Sequence, residues 1–364
     1  MPNSRAWSAV VGGAFVLVFG ACGKTEATPT PAVIDDAGTA DTAPPMEAGP
    51  APLYPLDATM RINAIQMKGS HNSYHVAQPD QQTQLLDYSH SPLDVQLNSQ
   101  GVRALELDTH LNVDGTFDVF HIVGDDTSRC PKFKDCLKII LAFSDAHPRH
   151  HPIFIQIEPK DVPANVDGGD AVTSYATGLE AEITSVIPRA RIITPDDVKG
   201  SAASLKDAVA AGGWPTLGAS RGKVIFFIDN RGAFHDVYTR MGTSLDGRLM
   251  FNDAALTEPC AGIVIRNDPT VDAADIAAAL AAGMIVRTRA DADTVEARNN
   301  NHGPQDKALA SGAQIISTDY EAKVPGIDYV VEIPEGTPSR CAPGLAPPDC
   351  TSLAVENPSA LGPP

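Results

Sequence analysis

The sequence predicts an α/β fold, a (β/α)8 barrel of the TIM type, from three observations. Short runs rich in Val, Ile and Phe alternate with helix-like stretches between residues 56 and 333. Several of these runs are apolar almost without a break, as strands covered on both faces are. Polar residues with chemical capacity gather where the runs end, and in parallel barrels the strand C-termini share the face on which sites are built.

The strand candidates, in order, are INAIQM (62–67), VRALELD (102–108), FDVFHIV (117–123), PIFIQIE (152–158), KVIFFID (223–229), GIVIRN (262–267), MIVRTRA (284–290) and AQIISTD (313–319). Gly, Pro, Asp or Asn bounds each run, and LMF (249–251) is a further short candidate. Helices are expected at 132–146, 170–186, 203–211, 272–282 and 303–311, between the strands. Eight strands with helical crossovers make one barrel domain over 56–333.

Composition narrows the partners. The chain has 364 residues, 43% of them hydrophobic and 20% charged, which is ample material for a core. A formal charge of −18 without a basic stripe argues against nucleic acid. It argues equally against electrostatic adhesion to an anionic membrane, so contact with lipid needs another device. The first 22 residues supply a candidate: Arg5, then the apolar stretch AVVGGAFVLVFGA, ending at Cys22. This is the length and charge order of an export signal rather than of a membrane span. The Phe-Gly-Ala-Cys ending is similar to the bacterial lipoprotein signal, with Phe19 where Leu or Val is usual. An ordinary signal peptide with a chance cysteine is the alternative. The protein is therefore expected to be exported, either anchored in the cell envelope through Cys22 or secreted.

Residues 23–55, rich in Pro, Ala, Thr, Asp and Gly, are expected to form a disordered tether. Residues 334–364 repeat that character as a Pro-rich C-terminal tail. Cys130 can bridge to Cys136, and Cys341 to Cys350, in an oxidising compartment. Cys260 is left over, either a buried small hydrophobe or part of another pairing. None of the cysteines has a zinc-ligand spacing. No feature calls for an oligomer, and a monomer is expected.

The chemistry concentrates in about ninety residues. Asn72 in KGSHNSYH, Glu106 and Asp108 in ALELDTH, and Glu158 in IFIQIEPK offer one amide and three carboxylates. This hard oxygen set suits Ca2+ better than Mg2+. Glu106 and Asp108, at i and i+2, project to one face of a strand, while Leu107 packs outward. Taken alone, either acid could simply end a strand in solvent or pair with Arg103. His71 and His121 add imidazoles beside the acids, suited to charge stabilisation and proton transfer in phosphoryl chemistry. His90, His110, His147, His150, His151 and His302 are read as structural, and His75 and His235 stay open. Lys160, Arg287, Arg289 and Tyr320 are candidates for substrate contact. Each has a plainer role available, in ion pairs for the three cations and in the core for Tyr320.

The runs KGSHNSYH, ALELDTH, FDVFHIV and IFIQIEPK resemble the catalytic strands of calcium-dependent bacterial phosphatidylinositol-specific phospholipase C. The likeness extends through GAFHDVYTRMG to the closing GAQIISTDY. It implies a phosphodiesterase barrel acting on a phospholipid at a membrane surface, with Ca2+ held by Asn72, Glu106, Asp108 and Glu158. It further implies Glu106 or Asp108 as base, His71 steadying the phosphorus, and His121 protonating the departing diacylglycerol oxygen. A glycerophosphodiester phosphodiesterase resembles the same barrel, but usually opens with His-Arg-Gly where this chain has His71-Asn72-Ser73. A catalytically inactive binding lipoprotein is the second alternative.

Overall fold

A computed structural model describes residues 53–79, 83–160 and 169–362. The export signal, the lipidation candidate Cys22 and nearly all of the tether lie outside them.

Eight parallel strands form the barrel wall: β1 (Ile65–Ser70), β2 (Val102–Leu111), β4 (Ile153–Pro159), β5 (Val224–Ile228), β6 (Phe251–Asn252), β7 (Ile263–Ile265), β8 (Ile285–Arg289) and β9 (Ile315–Thr318). Their order is β6-β5-β4-β2-β1-β9-β8-β7. No ladder joins β6 to β7 among the described residues; the backbone N–H of Ile265 instead donates to Asp253 Oδ1 at 2.8 Å. Two short antiparallel strands stand outside the wall: β3 (Phe117–Val119) on β2 and β10 (Arg340–Cys341) on β1.

One strand expectation is corrected. FDVFHIV is not a wall strand, because residues 112–116, Asn-Val-Asp-Gly-Thr, turn the chain straight back along β2. A parallel return would need a crossover of a dozen or more residues, whereas Asp114-Gly115 is a hairpin turn. The eighth wall strand is β6, at the end of the LMF run. INAIQM also shifts: residues Ile62–Ala64 make a 3-10 turn before β1 begins.

The wall strands β1, β4 and β5 are buried along nearly their whole length, as the unbroken apolar runs predict. Helix α1 (Leu93–Asn98), α2 (Phe133–Ala146) and α3 (Gly169–Val186) cover the first half from outside. On α2, Phe133, Cys136, Leu137, Ile140 and Phe143 repeat at three and four residues and are buried. Each such side chain contributes roughly 1.5–3 kcal/mol on leaving water. Gly69 sits where β1 passes closest to its neighbours; a Cβ there would stand 3.1 Å from the Ala104 Cβ and 3.2 Å from Ile315.

Cys130–Cys136 and Cys341–Cys350 are disulfides, and Cys260 is free and buried. The Pro-rich C-terminal stretch lies against the N-terminal ends of the wall strands. β10 pairs with the start of β1, and buried Glu356 takes Arg103 Nη2 at 2.5 Å and the His151 backbone N–H at 2.9 Å. The end of the barrel opposite the strand C-termini is thus tied by ion pairs, and the other end is free for chemistry.

This floor also sets an acid sensitivity. Burial lowers His150 to about 3 and His151 to about 4. Between those values and about 6.5 the unfolded chain binds the protons and the native one does not, so stability falls as pH drops through that window. Unfolding free energy measured by urea titration is expected to fall by a few kcal/mol from pH 7 to pH 4.5. His151→Gln is expected to flatten that slope, and an unchanged slope would contradict the assignment.

Candidate active site

Register places the acids side by side. Asp108 pairs directly with Glu158 across β2 and β4, and Glu106 pairs with Gln156. On β5, Ile228 pairs with Ile157, and the N–H of Asp229 donates to the Ile157 carbonyl at 2.9 Å, so Asp229 stands level with Glu158. Carboxylate oxygens of Glu106, Glu158 and Asp229 all lie within 4.8 Å of one another. Asp229 was missed in the sequence, although KVIFFID shows the same sign as its neighbours, an apolar run ending in an acid.

The electrostatics of this cluster are those of a cation site. Asp108 is fully buried, and both its oxygens lack a hydrogen-bond partner. Lys160 Nζ lies 2.9 Å from Asp108 Oδ2, an ion-pair contact out of line for a hydrogen bond, and it donates to Glu158 Oε1 at 2.7 Å. Burial and the charge of Glu158 push Asp108 well above the usual carboxylate range. Burial and Glu106 push Asp229 up to about 7. Burial would raise Glu106 as well, but Arg287, His71, Arg289 and Lys160 together hold it below its usual value. Arg287 Nη2 donates to Glu106 Oε2 at 2.6 Å. Crowded buried oxygens with unpartnered lone pairs fit a hard divalent cation such as Ca2+.

Asn72 stands at the edge of this cluster. It adopts the left-handed backbone, φ 44°, which Asn tolerates and which turns the chain sharply after β1. Its Oδ1 accepts from the Tyr74 hydroxyl at 3.3 Å, and that hydroxyl also feels Asp108. The turn is fastened to β2 by Ser73, whose Oγ accepts from the Glu106 N–H at 2.8 Å.

Each of the two expected histidines is oriented by a carboxylate. His71 Nδ1 donates to Asp319 Oδ1 at 2.6 Å, while Arg289 Nη1 approaches Nε2 at 3.3 Å. Burial and the Arg289 charge lower His71, keeping it a neutral ring. Arg289 Nη2 also donates to Asp319 Oδ2 at 3.1 Å. His121 lies in the loop after β3, and its Nδ1 meets Asp125 Oδ2 at 2.8 Å. His75, left open by the sequence, shares Asp125 from Nε2 at 3.0 Å and stacks on Tyr88 at 4.3 Å. Tyr88 in turn stacks with His71 at 6.4 Å, so Tyr88 and His75 link the two candidate histidines. Asp319, Asp125 and Tyr88 are the supporting residues that sequence reasoning did not name.

Three of the expected substrate contacts change character. Tyr320 is corrected: it is 2% exposed and packs edge-on to Tyr329 in the core, with no ring face to offer a ligand. Arg287 and Arg289 reach the site, but they are engaged by Glu106 and by the His71–Asp319 pair.

Such a site, on the C-terminal face of an eight-stranded barrel, is that of a metal-dependent phosphodiesterase. Residues 60–117 and 111–343 match the model of the phosphoinositide phospholipase C, Ca2+-dependent family, and a match over most of the chain means that the protein belongs to that family. Its cation is accordingly calcium. Among solved structures, the chain is similar to a calcium-dependent phosphoinositol-specific phospholipase C from Pseudomonas sp.. Identity is 19%, covering 74% of this chain and 94% of that one, with a TM-score of 0.52. It is similar also to a Ca2+-dependent phosphatidylinositol-specific phospholipase C from Streptomyces antibioticus, at 20% identity over 72% of this chain and 95% of that one, TM-score 0.51. At such identity the likeness shows the fold. No curated protein sequence matches the chain.

By calorimetry, Glu158→Gln and Asp229→Asn are each expected to weaken calcium binding about tenfold or more, about 1.4 kcal/mol. Tyr320→Phe is expected to leave it unchanged. Wild-type affinity in Asp229→Asn would remove β5 from the site.

Proposed function

We propose that the protein cleaves phosphatidylinositol to diacylglycerol and a cyclic inositol phosphate, which the same site can then open with water. The observation that carries this reading is the pair of imidazoles, each held through Nδ1 by a buried carboxylate, on the face that carries the oxygen cluster. Asn72, Glu106, Asp108, Glu158 and Asp229 are the residues that would hold the ion. Calcium, when bound, supplies Lewis-acid polarisation of the phosphoryl oxygen and of the attacking hydroxyl.

The remaining work falls to side chains. Glu106, kept ionised by Arg287, takes the proton of the inositol 2-hydroxyl as that oxygen forms its bond to phosphorus. His71, with Nδ1–H on Asp319, presents Nε2 to the phosphoryl group, and Arg289 beside it adds positive charge where negative charge builds. The bond from phosphorus to the glycerol oxygen breaks, and that oxygen takes a proton from His121 Nε2. Asp125, 2.8 Å from Nδ1, fixes the orientation of the ring for that transfer. Because nucleophile and phosphorus belong to one substrate, the attack gains from proximity. In this reading Arg287 and Arg289 chiefly position Glu106 and the His71–Asp319 pair, and Lys160 meets the headgroup phosphate. Among the described residues no helix is long and apolar enough to cross a membrane. Export, and an anchor on Cys22 that holds the monomeric enzyme at its lipid, belong to the same proposal.

The test is hydrolysis of phosphatidylinositol vesicles with and without EGTA, and with His71→Ala and His121→Ala. Chelation is expected to abolish turnover, and each histidine variant to lose ~10²–10⁴-fold, with cyclic inositol phosphate as the early product. Full activity in EGTA would take the metal out of the reaction. Hydrolysis of glycerophosphodiesters without cyclic product would move the chain to another substrate class, and headgroup binding without turnover would make it a binding protein.

A further inference from the structure

Outside the catalytic face, a second group of ligating atoms converges in the outer layer of the barrel. His235 lies on the short helix Ala233–Tyr238 that follows β5, and Glu258 and Cys260 lie in the connection from β6 to β7. One ligand atom from each lies within 4.8 Å of the other two. The donors are an imidazole nitrogen, a carboxylate oxygen and a sulfur, a softer set than the oxygens of the catalytic face.

We propose that His235, Glu258 and Cys260 form a second metal site, for zinc or a cation of similar softness, distinct from the calcium site. His235 Nε2 faces Glu258 Oε2 at 3.2 Å, and His235 Nδ1 lies 3.1 Å from Asp236 Oδ1. A carboxylate on the far nitrogen is the usual device that fixes the tautomer and aim of a metal-binding imidazole. Cys260 is 1% exposed and outside both disulfides. Burial first, and the Glu258 charge second, push its thiol up to about 12. Without a cation it is therefore a neutral thiol, and binding consists of Nε2 lending its lone pair, Glu258 lending an oxygen, and the thiol passing its proton to solvent as sulfur bonds the metal.

The placement gives the site a use. Among the described residues no ladder joins β6 to β7, and Glu258 and Cys260 sit in the segment between them. An ion bound there fastens that segment to the helix after β5. The ligands show no zinc spacing in the sequence because His235 and the Glu258-Pro259-Cys260 segment come from different crossovers and meet only in the fold.

The test uses the calcium-loaded, disulfide-intact full chain. Cobalt(II) titration is expected to give one site per chain with a near-ultraviolet thiolate-to-cobalt band. Cys260→Ser should abolish that band, and His235→Ala should weaken binding at least tenfold. Zinc should raise the thermal midpoint of the wild type and not of Cys260→Ser, while phosphatidylinositol turnover in calcium stays as in the wild type. X-ray absorption of the zinc-loaded wild type, which needs no variant, should show one sulfur at about 2.3 Å. Zinc without a sulfur neighbour, or a cobalt band that survives in Cys260→Ser, would overturn the site.

Discussion

Four carboxylates brought to the ends of three adjacent strands, with too little positive charge around them, form the constraint on which the catalytic face depends. Asp108 is the extreme case: it is buried, its oxygens accept no hydrogen bond although Lys160 Nζ stands 2.9 Å from Oδ2, and burial and Glu158 push it upward. Like charges at this spacing in a low-dielectric site cannot all stay ionised without a cation. Lys160 and Arg287 relieve part of that repulsion, and they do so unequally. Arg287 keeps Glu106 charged, whereas Lys160 is shared between Asp108 and Glu158. The same imbalance that makes the cluster costly to fold is one that a bound cation would relieve, and Arg287 leaves Glu106 as its ionised acid.

Around the cluster a ring of oriented groups limits what the histidines can do. Asp319 fixes Nδ1 of His71, and Asp125 fixes Nδ1 of His121, which leaves Nε2 of each ring to face a substrate, that of His71 with Arg289 Nη1 3.3 Å away. His90 extends the arrangement from behind: its Nε2 donates to the His71 carbonyl at 2.7 Å and its Nδ1 meets Glu321 at 2.8 Å. Burial works to lower His90, but the charge and hydrogen bond of Glu321, the Asp319 charge and the His71 carbonyl together raise the ring. The chemistry thus sits at one end of the barrel, on loops tied down by buried ion pairs, and the Arg103–Glu356 floor holds the other end.

What could be read from the sequence follows the range of the interactions. Glu106 and Asp108 were legible because an i, i+2 pair on an apolar strand must share a face. Asn72 and Glu158 were legible because each ends its own run. FDVFHIV misled because its apolar content looks like a wall strand, and only the five-residue Asn-Val-Asp-Gly-Thr turn shows that it doubles back on β2. Asp229 carried the right local sign but fell beyond the stretch where the other ligands cluster. Arg287 and Glu106 are 181 residues apart, and no local pattern tells an arginine on β8 which acid it will meet. Tyr320 failed for a related reason. A tyrosine after the last strand suits a pocket or the core equally well, and Tyr329 decides for the core.

The most direct measurement is the thermal midpoint with and without calcium, for the wild type and for Asp108→Asn. A ligand that binds only the folded state raises the midpoint in proportion to the logarithm of its concentration over its dissociation constant. Calcium is expected to raise the wild-type midpoint clearly. Asp108→Asn, relieved of one buried charge, is expected to be at least as stable as the wild type in EGTA and to gain little from calcium. A wild type indifferent to calcium, or a variant that responds to it as fully, would contradict the reading of these acids as a cation site.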